Sequence, residues 1–308
     1  MINDNAIKLW MVGTVALDTI TTRKGRFERL LGGSVTYAGA AASFFTKVGA
    51  VGVVGDDFPA SFRERYRKMG MDIAGLQTAA GTTFHWEGVY ESDMVNRRTI
   101  TTDLGVLATF APVLPPAYRS APYVLLGNID PRLQLHLLDQ AEGARFVAVD
   151  SMDFWINQSR AALREVIGRS HLLTLNDAEA RQLTGRFNLR DCAAQLMETG
   201  LQYVLIKKGE HGAFLFSREG IAIIPAYPVR EVCDPTGAGD TYAGSFMGYL
   251  AAVAPSGEVD VRMLRQALLR ASAVAAFGVE DFSTACLEAL TIGEIEERAA
   301  ELRAMAAL

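Results

Sequence analysis

A chain of 308 residues, half of them hydrophobic and 21% charged, can bury a large core as one big α/β unit or as two smaller domains. Its formal net charge of −5, with Lys and Arg scattered singly or in pairs, supplies no positive field for a phosphate backbone and argues against nucleic acid as a partner. No apolar run approaches the roughly 20 residues that span a bilayer, and Cys192, Cys233 and Cys286 stand far apart outside any CxxC spacing, so the reading is a cytoplasmic protein with no membrane partner, disulfide framework or zinc knuckle.

The stretch Met1 to Trp10 lacks the basic, apolar and small-residue succession of a secretory signal. Ile7–Val12 is an apolar-rich run ending at Gly13, and short apolar runs recur at Val51–Val54, Tyr123–Leu126, Phe146–Val149, His171–Leu175 and Tyr203–Ile206. Short, aliphatic and not strictly alternating, they read as strands buried on both faces. Between them Ser34–Lys47, Ser61–Met69, Arg132–Gln140, Ala161–Ile167 and Leu189–Thr199 fill gaps of crossover length as helices. This βαβ rhythm predicts an α/β fold, an open and mostly parallel sheet with helices on both faces.

Two segments break the rhythm. In about 19–30 and 82–102, Thr, aromatic and charged residues alternate as in strands with one wet face, and Glu91-Ser-Asp-Met94 supplies a turn. They predict a small inserted β lid, whose exposed edges invite pairing with a second copy, a homodimer. Pro112 to Pro116 reads as a connector back to the main sheet. At the tail, Thr291 and Glu294 fit a capping box, and Ile292, Ile295, Ala299 and Leu302 share one face of a helix over Thr291–Leu308. The four histidines, His85, His136, His171 and His211, are isolated from any second metal ligand at helical spacing.

The densest chemistry is Thr236-Gly-Ala-Gly-Asp240 ahead of an apolar helix. A helix N-terminus leaves backbone N–H groups unpaired and carries partial positive charge, and Gly237 and Gly239 remove the bulk that would keep a phosphoryl group from them. Asp240 is placed to take the proton of a hydroxyl attacking that phosphorus. An acid capping a helix after a tight glycine turn has the same pattern. No GxxxxGK[ST] occurs, so there is no P-loop; Gly49 to Gly55 has the wrong spacing for a dinucleotide turn and reads as a strand; no GxSxG elbow is present.

Val12-Gly-Thr-Val-Ala-Leu-Asp18 at the first strand end, Gly32-Gly33 opening a helix, Asn176-Asp-Ala-Glu179, Lys207-Lys-Gly209 and Asp234 to Asp240 resemble, in order and spacing, the PfkB family of carbohydrate kinases, the ribokinase-like group, over nearly the whole chain. The resemblance implies one ribokinase-like domain over 1–308 that transfers phosphoryl from ATP, with Mg2+, to a hydroxyl of a small sugar or sugar-like alcohol. It implies Asp240 as catalytic base and the amides of Gly237, Ala238 and Gly239 as the anion hole. It places Asn176 and Glu179 at the magnesium and phosphate region, with Glu179 acting on Mg2+ through water, although Asn followed three residues on by Glu is also a capping box. Asp18 and Gly33 match positions that contact substrate hydroxyls. Asp234 and Thr236 match residues near a monovalent-cation site, which brings in K+.

Two departures qualify the resemblance. Thr36 and Tyr37 stand where ribose- and fructose-binding members carry Asn, so Tyr37 enters the acceptor pocket and the acceptor is not assigned by analogy. Lys207-Lys208-Gly209 replaces the family's Thr-x-Gly in the nucleotide region, so that Lys207 either reaches ATP phosphates or ends a strand in solvent. Asp150, Trp155, Arg97 and Arg98 are further acceptor-pocket candidates, Arg98 being suited to an anionic substituent. Phe84, Trp86 and Tyr90 on the lid suit stacking on a base, which makes a nucleoside kinase the alternative; a non-catalytic ligand-binding descendant is the second.

Overall fold

A computed structural model describes residues 6–307; residues 1–5 of the signal-peptide reading, and Leu308 of the tail helix, lie outside the described residues. Thirteen strands occur among them: β1 (Leu9–Val12), β2 (Ala16–Thr22), β3 (Gly25–Gly32), β4 (Val48–Val54), β5 (Met71–Thr78), β6 (His85–Tyr90), β7 (Arg97–Asp103), β8 (Tyr123–Leu126), β9 (Phe146–Asp150), β10 (Leu172–Asn176), β11 (Tyr203–Lys207), β12 (Ala213–Ser217) and β13 (Gly220–Ile224). They build a nine-stranded sheet in the order β13-β12-β11-β10-β9-β8-β1-β4-β5 and a four-stranded sheet in the order β3-β2-β6-β7. From β5 to β11 the large sheet is parallel, and β12 and β13 run antiparallel at its edge.

The apolar runs become strands because helices cover both faces: β1, β4 and β8 are buried at every residue. Two clusters of buried side chains, one on each side of the sheet, hold the helices against it. Helices Ser34–Ser43 and Ala238–Val253 lie on one side and touch through small residues. A Cβ on Gly244 would stand 2.1 Å from the Ala38 carbonyl oxygen, and one on Gly248 2.7 Å from Ala42 Cα.

The expected helices all form with their ends moved, Ser34–Ser43 and Leu189–Met197 being shorter and Arg160–Gly168 longer than expected. The tail helix Ile292–Ala306 carries the predicted Thr291 and Glu294 capping box. Gly49 to Gly55 is strand β4 and the loop after it. The small sheet is larger than the sequence suggests, since β2 and β3 reach Ala16 and Gly32. Strands β5, β12 and β13 are additions to the sequence reading. Among the described residues the three cysteines are free, and no helix is long and apolar enough to cross a membrane.

Candidate functional site

Strand order reverses between β1 and β8, which opens a crevice at their carboxyl ends. The loops leaving those strands are tied together: Gly127 N–H donates to Val12 O at 2.7 Å and Thr14 N–H to Asn128 O at 3.2 Å. Helix Ser34–Ser43 starts in the same place, with Ser34 N–H on Thr14 Oγ1 and Thr14 N–H on Ser34 Oγ, both at 3.0 Å. Gly33 precedes it at φ 92°, ψ 154°, a region essentially restricted to glycine. Any Cβ there would lie 2.4 Å from Thr14 O.

Asp18, on β2, is 4% exposed and lies against Gly32, where a Cβ would come within 1.9 Å of its Oδ2. Burial pushes its pKa up to about 8, with the charge of Asp234 adding, the Gly33 amide opposing and Asp240 adding. Of the Thr36 and Tyr37 pair, Thr36 turns into the core and bonds Gly32 O and Tyr66 OH. Tyr37 packs toward the site, 2% exposed, with a hydroxyl that has no hydrogen-bond partner among the described residues.

Across the crevice stands the turn before helix Ala238–Val253. Asp234, 1% exposed, braces it by accepting from Thr236 N–H at 2.9 Å and from Ser283 N–H at 3.4 Å. Gly237 adopts the left-handed φ 73°, ψ 3°, and the Tyr37 ring lies 2.2 Å from where its Cβ would be. The Ala238 amide closes the turn on Pro235 O at 3.2 Å, whereas those of Gly237, Gly239 and Asp240 have no acceptor among the described residues. The open amides are therefore Gly237, Gly239 and Asp240, a correction to the expected set, which contained Ala238.

Asp240 is half-buried, and its pKa rises to about 7, first through burial, then through the Asp150 carboxylate, with Lys207 and Arg97 opposing. Lys207 does not end its strand in solvent: its side chain is 15% exposed, and Nζ stands 2.8 Å from Asp150 Oδ2 and 3.5 Å from Gly239 O. Asn176 and Glu179 form the capping box, with Asn176 Oδ1 accepting Glu179 N–H at 2.8 Å and Glu179 Oε2 accepting Asn176 N–H at 2.7 Å. Burial and then Asp150 still raise the Glu179 pKa to about 7, so capping leaves this carboxylate within the acidic cluster. Gly209 lies just beyond, exposed at φ 55°. Among the described residues no three His, Cys, Asp or Glu side chains converge to hold a metal. Glu179, half-buried within that cluster, is the carboxylate that fits a magnesium ion keeping waters and other oxygens as most of its ligands.

Raised carboxyl pKa values set the pH dependence of stability. Asp18, Glu179 and Asp240 stabilise the fold most when protonated, and that contribution is lost as pH rises from the ordinary carboxylate range near 4 through their folded values of about 7 to 8. Asp18→Asn is therefore expected to melt increasingly above the parent protein as pH goes from 5 to about 9. A melting difference independent of pH would show that Asp18 ionises normally.

The small sheet faces the turn through Tyr90, whose hydroxyl accepts from Thr236 Oγ1 at 3.0 Å. Arg97 is paired opposite Tyr90, its guanidinium 5.9 Å from the Trp86 ring centre, while Trp86 Nε1 donates to Thr99 Oγ1 at 3.2 Å. Trp86, Tyr90 and Arg97 thus share the face turned to Asp240. Arg98, expected at the pocket, is paired with Val89 and lies on the other face, because alternate strand residues point to opposite sides. Trp155 is tied to the loop after β8, its Nε1 donating to Asn128 Oδ1 at 2.8 Å. The sequence reading missed Asn128; its signal was the Gly-Asn pair at a strand end beside the reversal point. Two open hollows, of about 450 Å³ by Arg63 and Asp72 and about 400 Å³ by Phe187 and Ile223, touch none of these residues.

Comparison with known proteins gives the family and the fold. The profile of the pfkB family of carbohydrate kinases matches residues 9–290. The cytidine kinase of Thermococcus kodakarensis is 32% identical over 251 residues, covering 79% of this chain and 88% of that protein. A ribokinase structure from Giardia lamblia superposes with a TM-score of 0.82 at 18% identity, covering 96% of this chain and 99% of that one. The aminoimidazole riboside kinase of Salmonella enterica, solved with aminoimidazole riboside and an ATP analogue, gives 0.71 at 20% identity over 94% of this chain and 99% of that one.

Proposed function

The chain belongs to the pfkB family of carbohydrate kinases, and from that premise we propose that it transfers the γ-phosphoryl group of ATP to a hydroxyl of an N-riboside, a ribose carrying a nitrogenous base. The observation that carries the transfer chemistry is the start of helix Ala238–Val253: open amides of Gly237, Gly239 and Asp240 beside a carboxylate whose pKa lies at about 7. A base poised near the working pH is well matched to removing an alcohol proton, and main-chain N–H groups aimed at a phosphoryl stabilise the charge that develops on it.

Asp240 takes the acceptor proton as its oxygen attacks phosphorus, and the open amides hold the equatorial oxygens. Kinases of this family use ATP and Mg2+; magnesium, when bound, would supply positive charge to the phosphates, and Glu179 would be the residue that holds it, through water. Asp18, beside Gly33, binds acceptor hydroxyls, and the unpartnered Tyr37 hydroxyl adds a hydrogen bond. Asp234, beside the turn it braces, would be the residue near a potassium ion. The small sheet acts as a lid that excludes water once the acceptor is bound.

The acceptor class rests on the cytidine kinase relative and on the lid face, where half-buried Trp86 keeps aromatic surface beside Arg97, while Tyr90 is buried against Ile20 and Met94. Base stacking on an aromatic side chain contributes about 1–3 kcal/mol. In an ADP-release assay, cytidine, adenosine or inosine is expected to give a kcat/KM at least about tenfold above free ribose and fructose, the factor that about 1.4 kcal/mol supplies. The reverse order would replace the riboside reading with a free-sugar kinase.

A further inference from the structure

We propose that Lys207 is the side-chain cation of the phosphoryl-transfer site and that Asp150, rather than binding the acceptor, is the residue that positions it. The inference rests on the kinase reading of the Gly237 to Asp240 turn and is independent of the acceptor class. A Cβ on Gly239 would stand 3.2 Å from Lys207 Nζ, so the ammonium occupies the rim of the open amides, and a group bound to those amides meets it. Both members of the ion pair are screened from water, the side chains being 15% and 9% exposed. That separates it from an exposed surface pair of little consequence.

Asp150 has little left for an acceptor. Its Oδ2 holds Lys207 at 2.8 Å, and its Oδ1 accepts the Ser151 amide at 2.9 Å. Strand register explains the pairing: Asp150 lies opposite Thr174 and Lys207 opposite Asn176, so the two side chains meet across the end of β10. Around the single ammonium stand three carboxylates, Asp150, Glu179 and Asp240, whose charges each act on it. An ammonium has three rotating donors. One is on Asp150 and one is within reach of Gly239 O, which leaves the third for an incoming oxygen. Lys207 keeps its proton throughout and donates hydrogen bonds to a γ-phosphoryl oxygen, while Asp150 fixes its reach.

Calorimetric titration with Mg·AMP-PNP and Mg·ADP separates a γ-phosphoryl contact from general nucleotide binding. Lys207→Met is expected to weaken AMP-PNP at least about tenfold and ADP less than about threefold. Because that variant strands the Asp150 charge, the Lys207→Met/Asp150→Asn double variant, which removes both charges, is titrated beside it and is expected to show the same selective loss. Asp150→Asn alone is expected to lower kcat about 10- to 100-fold while the acceptor KM stays within about threefold. Full AMP-PNP affinity in the double variant would overturn the assignment of Lys207, and a raised acceptor KM with unchanged kcat in Asp150→Asn would return Asp150 to the acceptor pocket. Failure of the parent protein to bind AMP-PNP would overturn the reading of the turn together with this proposal, whereas failure of ribosides as acceptors touches only the acceptor class.

Discussion

Asp240→Asn is expected to leave the protein folded and able to bind ATP while lowering turnover about 10²–10⁴-fold, the contribution of a positioned general base. The amide is nearly isosteric and keeps the first turn of helix Ala238–Val253, so the loss isolates proton removal from helix capping. In the parent, kcat/KM for the acceptor is expected to rise with pH through about 7, where the buried carboxyl ionises in the free enzyme, and the variant's residual activity is expected to lack that limb. A coupled assay on a verified acceptor, with circular dichroism as control, reads both. An Asn variant as active as the parent would reduce Asp240 to a helix cap.

Gly33→Ala is expected to be strongly damaging, because backbone strain and a main-chain collision coincide beside the acceptor crevice. A non-glycine residue at φ 92°, ψ 154° costs about 1–3 kcal/mol in backbone strain, and the added Cβ collides with main chain at Thr14, which cannot rotate aside. Relief requires the loop after β1 to move, and with it the mutual Thr14 and Ser34 hydrogen bonds. Melting about 5 °C or more below the parent is expected, together with an acceptor KM raised at least about tenfold. Gly32→Ala provides the contrast, since its Cβ meets the flexible end of Asp18 rather than backbone. It should lose acceptor affinity with a smaller fall in melting temperature. Equal melting of Gly33→Ala and parent would show that the Thr14 loop yields without cost.

What the sequence made legible was whatever burial or spacing writes into consecutive residues. Runs such as Tyr123 to Leu126 are apolar because both faces of the sheet are covered, and the Gly-Ala-Gly-Asp turn needs its glycines at fixed positions. Strand β5 escaped because Asp72 interrupts its apolar pattern. That carboxylate is taken up by Tyr118 OH at 2.6 Å and the Ala74 amide at 2.8 Å, a tertiary arrangement with no local trace. The β12 and β13 hairpin turns through Arg218 and Glu219, which are not residues that announce a tight turn. Arg98 was preferred to Arg97 because the choice depends on pairing with β6 past a register shift at Glu87 and Gly88. The Lys207 and Asp150 pair was invisible for a related reason, as it joins strands that neighbour each other only through a third.

The contact of Gly244 and Gly248 with Ala38 and Ala42 also governs the order of events at the ribosome. Its two halves are separated by about two hundred residues of chain, which at roughly 5–20 residues per second is on the order of ten to forty seconds of synthesis. Throughout that interval the alanine-rich flank of the early helix lacks the surface that Gly244 and Gly248 present to it. That packing is completed only after the last third has emerged and the two glycines have slid into place.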